Sequence, residues 1–158
     1  MKKRLAMLVL AGAMVTSSLT GCGLKDSATV ATVAGDEIPA GLANFYARMT
    51  QAQYESMYSS YLGDNMWTTE ASEGKTYEKL VKDEVLKDLE NMYLLEDHMD
   101  DYKISLSDDE KKAIKDAAKE FSKDNDKDDK EKVSGDTEYV ERYLTLATIQ
   151  NRMHTAII

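Results

Sequence analysis

The chain has 158 residues, 42% hydrophobic and 31% charged, with 29 acidic residues against 20 basic ones and a net charge of −9. That length allows one domain with a real core, and the charge opposes binding to nucleic acid or to anionic lipid headgroups. One Cys excludes an internal disulfide, and one Pro among long Lys-, Glu-, Leu- and Ala-rich stretches predicts a mainly helical protein.

The chain starts with Lys2, Lys3 and Arg4, then an apolar run from Leu5 to Val15, then the polar Thr16-Ser17-Ser18. That order is the layout of a secretory signal, and the run is too short to span a bilayer. It closes on Leu19-Thr20-Gly21-Cys22, which resembles the bacterial lipobox. The resemblance implies that Cys22 receives a diacylglycerol thioether and becomes the first residue of the mature protein. Residues 1–21 are then a lipoprotein signal peptide and 22–28 a lipidated tether. The removed segment carries three basic residues and no acidic one, which leaves −12 on the remainder. So acidic a chain gets no help from lipid headgroups, so the two acyl chains must do the anchoring.

Residues 29–158 read as one helical domain behind a short hairpin. Thr29-Val30-Ala31-Thr32-Val33 is β-branched and short, Gly35-Asp36 supplies a turn, and Glu37-Ile38 returns. A lone hairpin is barely stable, so it must pack on helices or pair with another strand. Pro39 suits the first position of helix 1. Leu42, Phe45, Met49, Ala52, Met57 and Tyr61 then give that helix an apolar stripe, and Gly63 ends it. The stretch 64–75 reads as a loop in which Met66 and Trp67 stand among polar residues. Trp67 either folds back onto the helices or meets a ligand.

Helix 2 is expected from Thr76 to Tyr102, with Tyr77, Leu80, Val81, Val85, Leu89, Met92, Leu95 and Met99 on its apolar side. Ser107-Asp108-Asp109-Glu110 has the form of a capping box and starts helix 3, whose apolar set is Ile114, Ala117, Ala118 and Phe121. Ser122 to Gly135 is densely charged and reads as a mobile link. Its Asp124-Asn125-Asp126 run fails as a calcium loop, because Asp129 stands where Gly is needed and Gly135 where a bidentate Glu is needed. A last helix opens at Thr137 and carries Tyr139, Val140, Tyr143, Leu144, Ala147, Met153 and Ile157.

Little in the sequence converges on catalysis. His98 and His154 stand apart, without a Cys or second His at metal-ligand spacing, and no glycine-rich phosphate loop occurs. No catalytic residue, metal ligand or cofactor site is expected. From the residues alone the chain is an extracytoplasmic binding or structural module.

The order of elements carries a resemblance. Ala31-Thr32-Val33-Ala34-Gly35-Asp36-Glu37-Ile38 is followed by Leu42-Ala43-Asn44-Phe45-Tyr46, by Val81-Lys82-Asp83-Glu84-Val85 and by Ile104-Ser105-Leu106-Ser107-Asp108-Asp109-Glu110. This resembles the SurA N-terminal-like chaperone domain of PrsA/SurA-type foldase lipoproteins, without the parvulin domain that normally follows. The resemblance implies a lobe of about five helices with a short N-terminal β-hairpin. It also implies binding of unfolded or partly folded exported polypeptides on the outer face of the cytoplasmic membrane. Six methionines remain beyond the signal segment, and Tyr46, Tyr54, Tyr58 and Tyr61 share helix 1. Thioethers and amphipathic rings suit a surface that accepts many sequences, which makes Tyr46, Tyr54, Met57, Tyr58 and Trp67 the candidate client-binding residues. The same side chains could equally fill a helical core. Two other functions fit the sequence: the N-terminal part of a truncated or split parvulin-type peptidyl-prolyl isomerase, and a small structural lipoprotein with one fixed partner.

Overall fold

The computed structural model describes residues 25–63 and 65–157; the expected signal peptide and Cys22 lie outside them. Strand β1 (Thr29–Val33) pairs antiparallel with β2 (Asp36–Pro39), with Val33 opposite Asp36 and Thr32 opposite Glu37. The turn is Ala34-Gly35, one residue earlier than the sequence predicts, and both residues have positive φ, 54° and 101°. Two such residues in a row match the right-handed twist of the strands. Gly35 adopts this freely, whereas Ala34 carries a Cβ into the left-handed region.

Pro39 is the last strand residue, opposite Thr29, and helix α1 (Ala40–Leu62) begins after it. The first N–H groups of α1 find acceptors outside the helix: Ala40 donates to the Ala28 carbonyl at 2.7 Å and Gly41 to that of Asp26 at 2.8 Å. The start of the described chain is thus bonded to the helix. The hairpin gains its support from α1 and α2, with Val30, Ala31 and Val33 packed on a core of Ile38, Leu42, Val81, Val85, Leu89 and Leu146.

Helix α2 (Tyr77–Asp97) is capped by Thr76, whose hydroxyl accepts from the Lys79 N–H at 3.3 Å. Before it, the expected loop is ordered into a 3-10 turn (Met66–Thr68) and a small antiparallel pair, β3 (Glu70–Ser72) with β4 (Lys75–Thr76). Met66 is buried. The helix stops five residues short of the expected Tyr102, and residues Asp100–Tyr102 form a separate 3-10 turn closed by Lys103 at φ 56°. Asp97, Asp100 and Asp101 would all have sat at the negative end of a longer helix.

Helix α3 (Asp108–Asp124) begins with the predicted capping box: Ser107 and Glu110 bond each other's backbone N–H. Ile114 and Ala118 are its buried residues, while Ala117 is exposed. The segment expected to be a mobile link instead prolongs α3 and then forms α4 (Lys127–Val133). Asp126 caps α4 by accepting from Asp129 N–H at 2.9 Å, and Lys130 Nζ reaches back to the Ser122 carbonyl at 3.1 Å. Local capping therefore overrides the charge density that argued for a solvated link. Ser134, in left-handed conformation after α4, is buried; its hydroxyl donates to Asp26 Oδ1 and accepts from Asn44 Nδ2, each at 2.9 Å. That bond pair fastens the C-terminus of α4 to the chain entering β1.

Helix α5 (Thr137–Ile157) packs on α1, α2 and α3 through Val140, Leu146, Ile149 and Met153. Phe45 of α1 meets Phe121 of α3 edge-on at 5.5 Å and Tyr143 of α5 at 5.7 Å, a second apolar centre that includes Ala118 and Val140.

Candidate functional site

The expected stripe on α1 is buried only in its first part. Leu42 and Phe45 are covered, but Met49 is 48% exposed, Met57 55% and Tyr61 85%. Ala52 is exposed as well, so α1 keeps its helical period while losing its cover. The cause lies in the partners. Tyr46 touches Tyr143 of α5, with ring centroids 5.0 Å apart, and its hydroxyl donates to Asp88 Oδ2 of α2 at 3.2 Å. Burial, then the Asp88 carboxylate, push the Tyr46 hydroxyl pKa well above its ordinary value, so it stays a neutral donor. Tyr46 is therefore a half-buried joint between three helices.

Farther along, Tyr54 bonds α2, its hydroxyl donating to Glu84 Oε2 at 3.2 Å. Its ring lies 5.6 Å from Tyr58 and 6.4 Å from Trp67. Trp67 does fold back onto α1: its indole N–H donates to Glu55 Oε1 at 2.8 Å. Bonds from Gln51 and then from Trp67 hold the Glu55 carboxyl below its ordinary range and keep it ionised. Met57, Tyr58 and Tyr61 stand beside this aromatic group with their side chains in solvent.

Of the five candidate residues, Tyr54, Met57, Tyr58 and Trp67 are thus gathered at the distal half of α1, and Tyr46 sits apart at its buried end. Met49 and Tyr61 are exposed members that sequence reasoning placed on the core side. The helical period marks which side chains share a face, and carries no signal of how far the covering helix extends.

Apart from this surface there is an open groove of about 780 Å³ between the hairpin, α2 and α5, lined by Glu37, Glu96, Glu138, Tyr139, Glu141 and Arg142 among others. Its one cation is already engaged. Arg142 forms a two-pronged pair with Glu96 at 2.7 and 2.6 Å and lies 4.6 Å over the Tyr93 ring. Burial works against the charge of Arg142, but the Glu96 bonds outweigh it and raise the guanidinium pKa further. The pair ties α5 to α2 and leaves no free acid–base couple. Among the described residues, no group of three or more His, Cys, Asp or Glu side chains could hold a metal ion. His98 is a surface residue bonded to Asp101 at 2.9 Å, and His154 is exposed. No helix of the described residues is long and apolar enough to cross a membrane.

No curated protein and no solved structure matches this chain. The model of one family does, that of the SurA-like N-terminal domain, over residues 3–134, which takes in the hairpin, the aromatic arm and α2 to α4. By that match, over most of its length, the chain belongs to the SurA-like N-terminal domain family.

Proposed function

We propose that this protein is a chaperone lobe of the bacterial cell envelope that holds unfolded segments of exported proteins on the distal half of α1. Family membership supports a chaperone-type role. The observation that carries the placement is the exposure of Met49, Met57, Tyr58 and Tyr61 on one helix whose other end buries Leu42, Ala43 and Phe45 in the core. Covering the exposed apolar surface of these side chains is favourable by about 25 cal/mol per Å², a driving force that needs no shaped pocket. Methionine and tyrosine adapt to many partners, which suits clients of unrelated sequence. In this reading residues 1–21 direct export, and the lipid on Cys22 holds the lobe at the outer face of the cytoplasmic membrane. The lobe then acts without a cofactor or a catalytic group.

The test is light scattering of an unrelated, chemically unfolded protein diluted into buffer with this protein. Suppression near equal molar amounts is the expected result. The variant M57S/Y58S/Y61S is expected to lose it while keeping its circular dichroism spectrum, because these side chains are exposed and support no core. No suppression by the folded wild-type protein overturns the reading.

A further inference from the structure

The arm that exposes these side chains is also one-signed. From Met49 to Gly74 the sequence has no lysine or arginine, although the chain has 20, and it carries Glu55, Asp64, Glu70 and Glu73. Glu84 joins them from α2 through its bond to Tyr54. None of Glu55, Glu70, Glu73 and Glu84 takes part in an ion pair among the described residues. Two of these carboxylates touch the aromatic group directly, Glu55 at the Trp67 indole and Glu84 at the Tyr54 hydroxyl. Cations appear only at the borders. Arg48 is bonded to Gln51, and Lys75 and Lys79 converge on Asp83.

On the reading that clients are held here, we propose that the arm selects apolar segments flanked by lysine or arginine and disfavours those flanked by acidic residues. The apolar part of such a segment covers Met57, Tyr58 and Tyr61, and its basic ends meet carboxylates that form no ion pair among the described residues, the nearest cation to Glu55 being Arg48, which reaches it only through Gln51. Long basic side chains fit this geometry, since their methylene stems lie on apolar surface while the charge reaches outward. An acidic flank would meet like charge at Glu55 and Glu84, since the bordering Lys75 and Lys79 are already paired with Asp83. A second copy of this chain meets the same repulsion, because its own arm is equally acidic.

Trp67 is the only tryptophan in the chain, so its fluorescence reports on the arm alone. Peptides sharing the core Leu-Val-Ile-Leu, flanked on each side by two lysines, two serines or two glutamates, are titrated into the protein. At low salt the lysine-flanked peptide is expected to bind about tenfold more tightly than the glutamate-flanked one, with the serine-flanked peptide between them. In 1 M salt, where the screening length falls to about 3 Å, the spread should shrink to about twofold. The variant E55Q/E84Q keeps acceptors for Trp67 and Tyr54 and removes two charges, so it should cut the low-salt preference to about threefold.

Equal binding of all three peptides overturns the charge selectivity and leaves the chaperone reading standing. No binding by any peptide, from a protein that still suppresses aggregation, overturns the arm as the selective surface. Failure of both assays removes the reading on which the inference rests.

Discussion

Gly41 offers a sharp test of how α1 is seated. It lies in the first turn of the helix, beneath the ring of Tyr139 from α5. A Cβ built there would fall 2.4, 2.5 and 2.8 Å from three carbons of that ring. Ordinary carbon–carbon contact is about 3.5–4 Å, so Gly41→Ala requires the ring to retreat by about 1 Å or more. Tyr139 cannot retreat as part of its helix, because Val140 and Leu146 fix α5 in the core. It must instead rotate into the groove, which costs a strained rotamer and part of its packing, about 1–3 kcal/mol together. Against this stands the helix propensity of alanine over glycine, about 1 kcal/mol at most. The net result expected for G41A is a loss of about 1 kcal/mol, seen as a lower urea midpoint with an unchanged slope. The same substitution in a Tyr139→Ala background meets no ring and should stabilise by about 0.5–1 kcal/mol. The coupling between the two sites is then close to 2 kcal/mol. Equal effects of G41A in both backgrounds would refute the argument that Tyr139 sets the cost.

Ala34→Asn places a residue tolerant of left-handed backbone where φ is 54° and builds Asn-Gly at the hairpin turn; a gain of about 0.5–1 kcal/mol in urea denaturation is expected. Ser107→Ala removes half of the capping box and should cost about 1 kcal/mol by the same measurement. Its partner predicts a pH effect: the Ser107 backbone N–H, then Arg152, hold the Glu110 carboxyl below its ordinary value of 4.5. A lowered folded pKa means stability that is full above the unfolded value and lost as pH falls through the folded one. E110Q should therefore flatten the acid limb of the stability curve and leave its slope near neutrality unchanged. Arg142→Met breaks the two-pronged pair with Glu96 and the contact with Tyr93, both about one-third exposed at most, and should cost about 1–3 kcal/mol. E96Q/R142M should recover part of that loss by removing the stranded carboxylate.

Much of the fold was legible because local signals agreed with tertiary need. The Ser107–Glu110 box, the Thr29–Val33 strand and the Val81, Val85, Leu89, Met92 face of α2 all stand where periodicity and capping put them. Elsewhere a local signal misled. The density of charge across 122–135 hid a capped helix, because Asp126 and Lys130 serve their own backbone there. Leu146 and Ile149 are buried although the pattern read from Thr137 passed over them, since α5 faces α3 on one side and α1 with α2 on another. A helix with two covered faces does not show one stripe.

The same limit explains the arm. Residues Leu42, Phe45, Met49, Met57 and Tyr61 follow one helical rhythm, and nothing in that rhythm separates the first two from the last three. What separates them is reach. Tyr46 is the outermost α1 residue to meet an aromatic ring of α5; beyond it α1 bonds α2 through Tyr54 and Glu84, while the Met66–Thr68 turn packs on α2 and leaves the far end of α1 uncovered. An exposed stripe of this size would ordinarily draw a second copy onto itself. Here the segment from Met49 to Gly74 has no lysine or arginine, and like charge on two copies opposes such pairing. An apolar face ringed by carboxylates is the arrangement on which the proposed preference for basic-flanked segments rests.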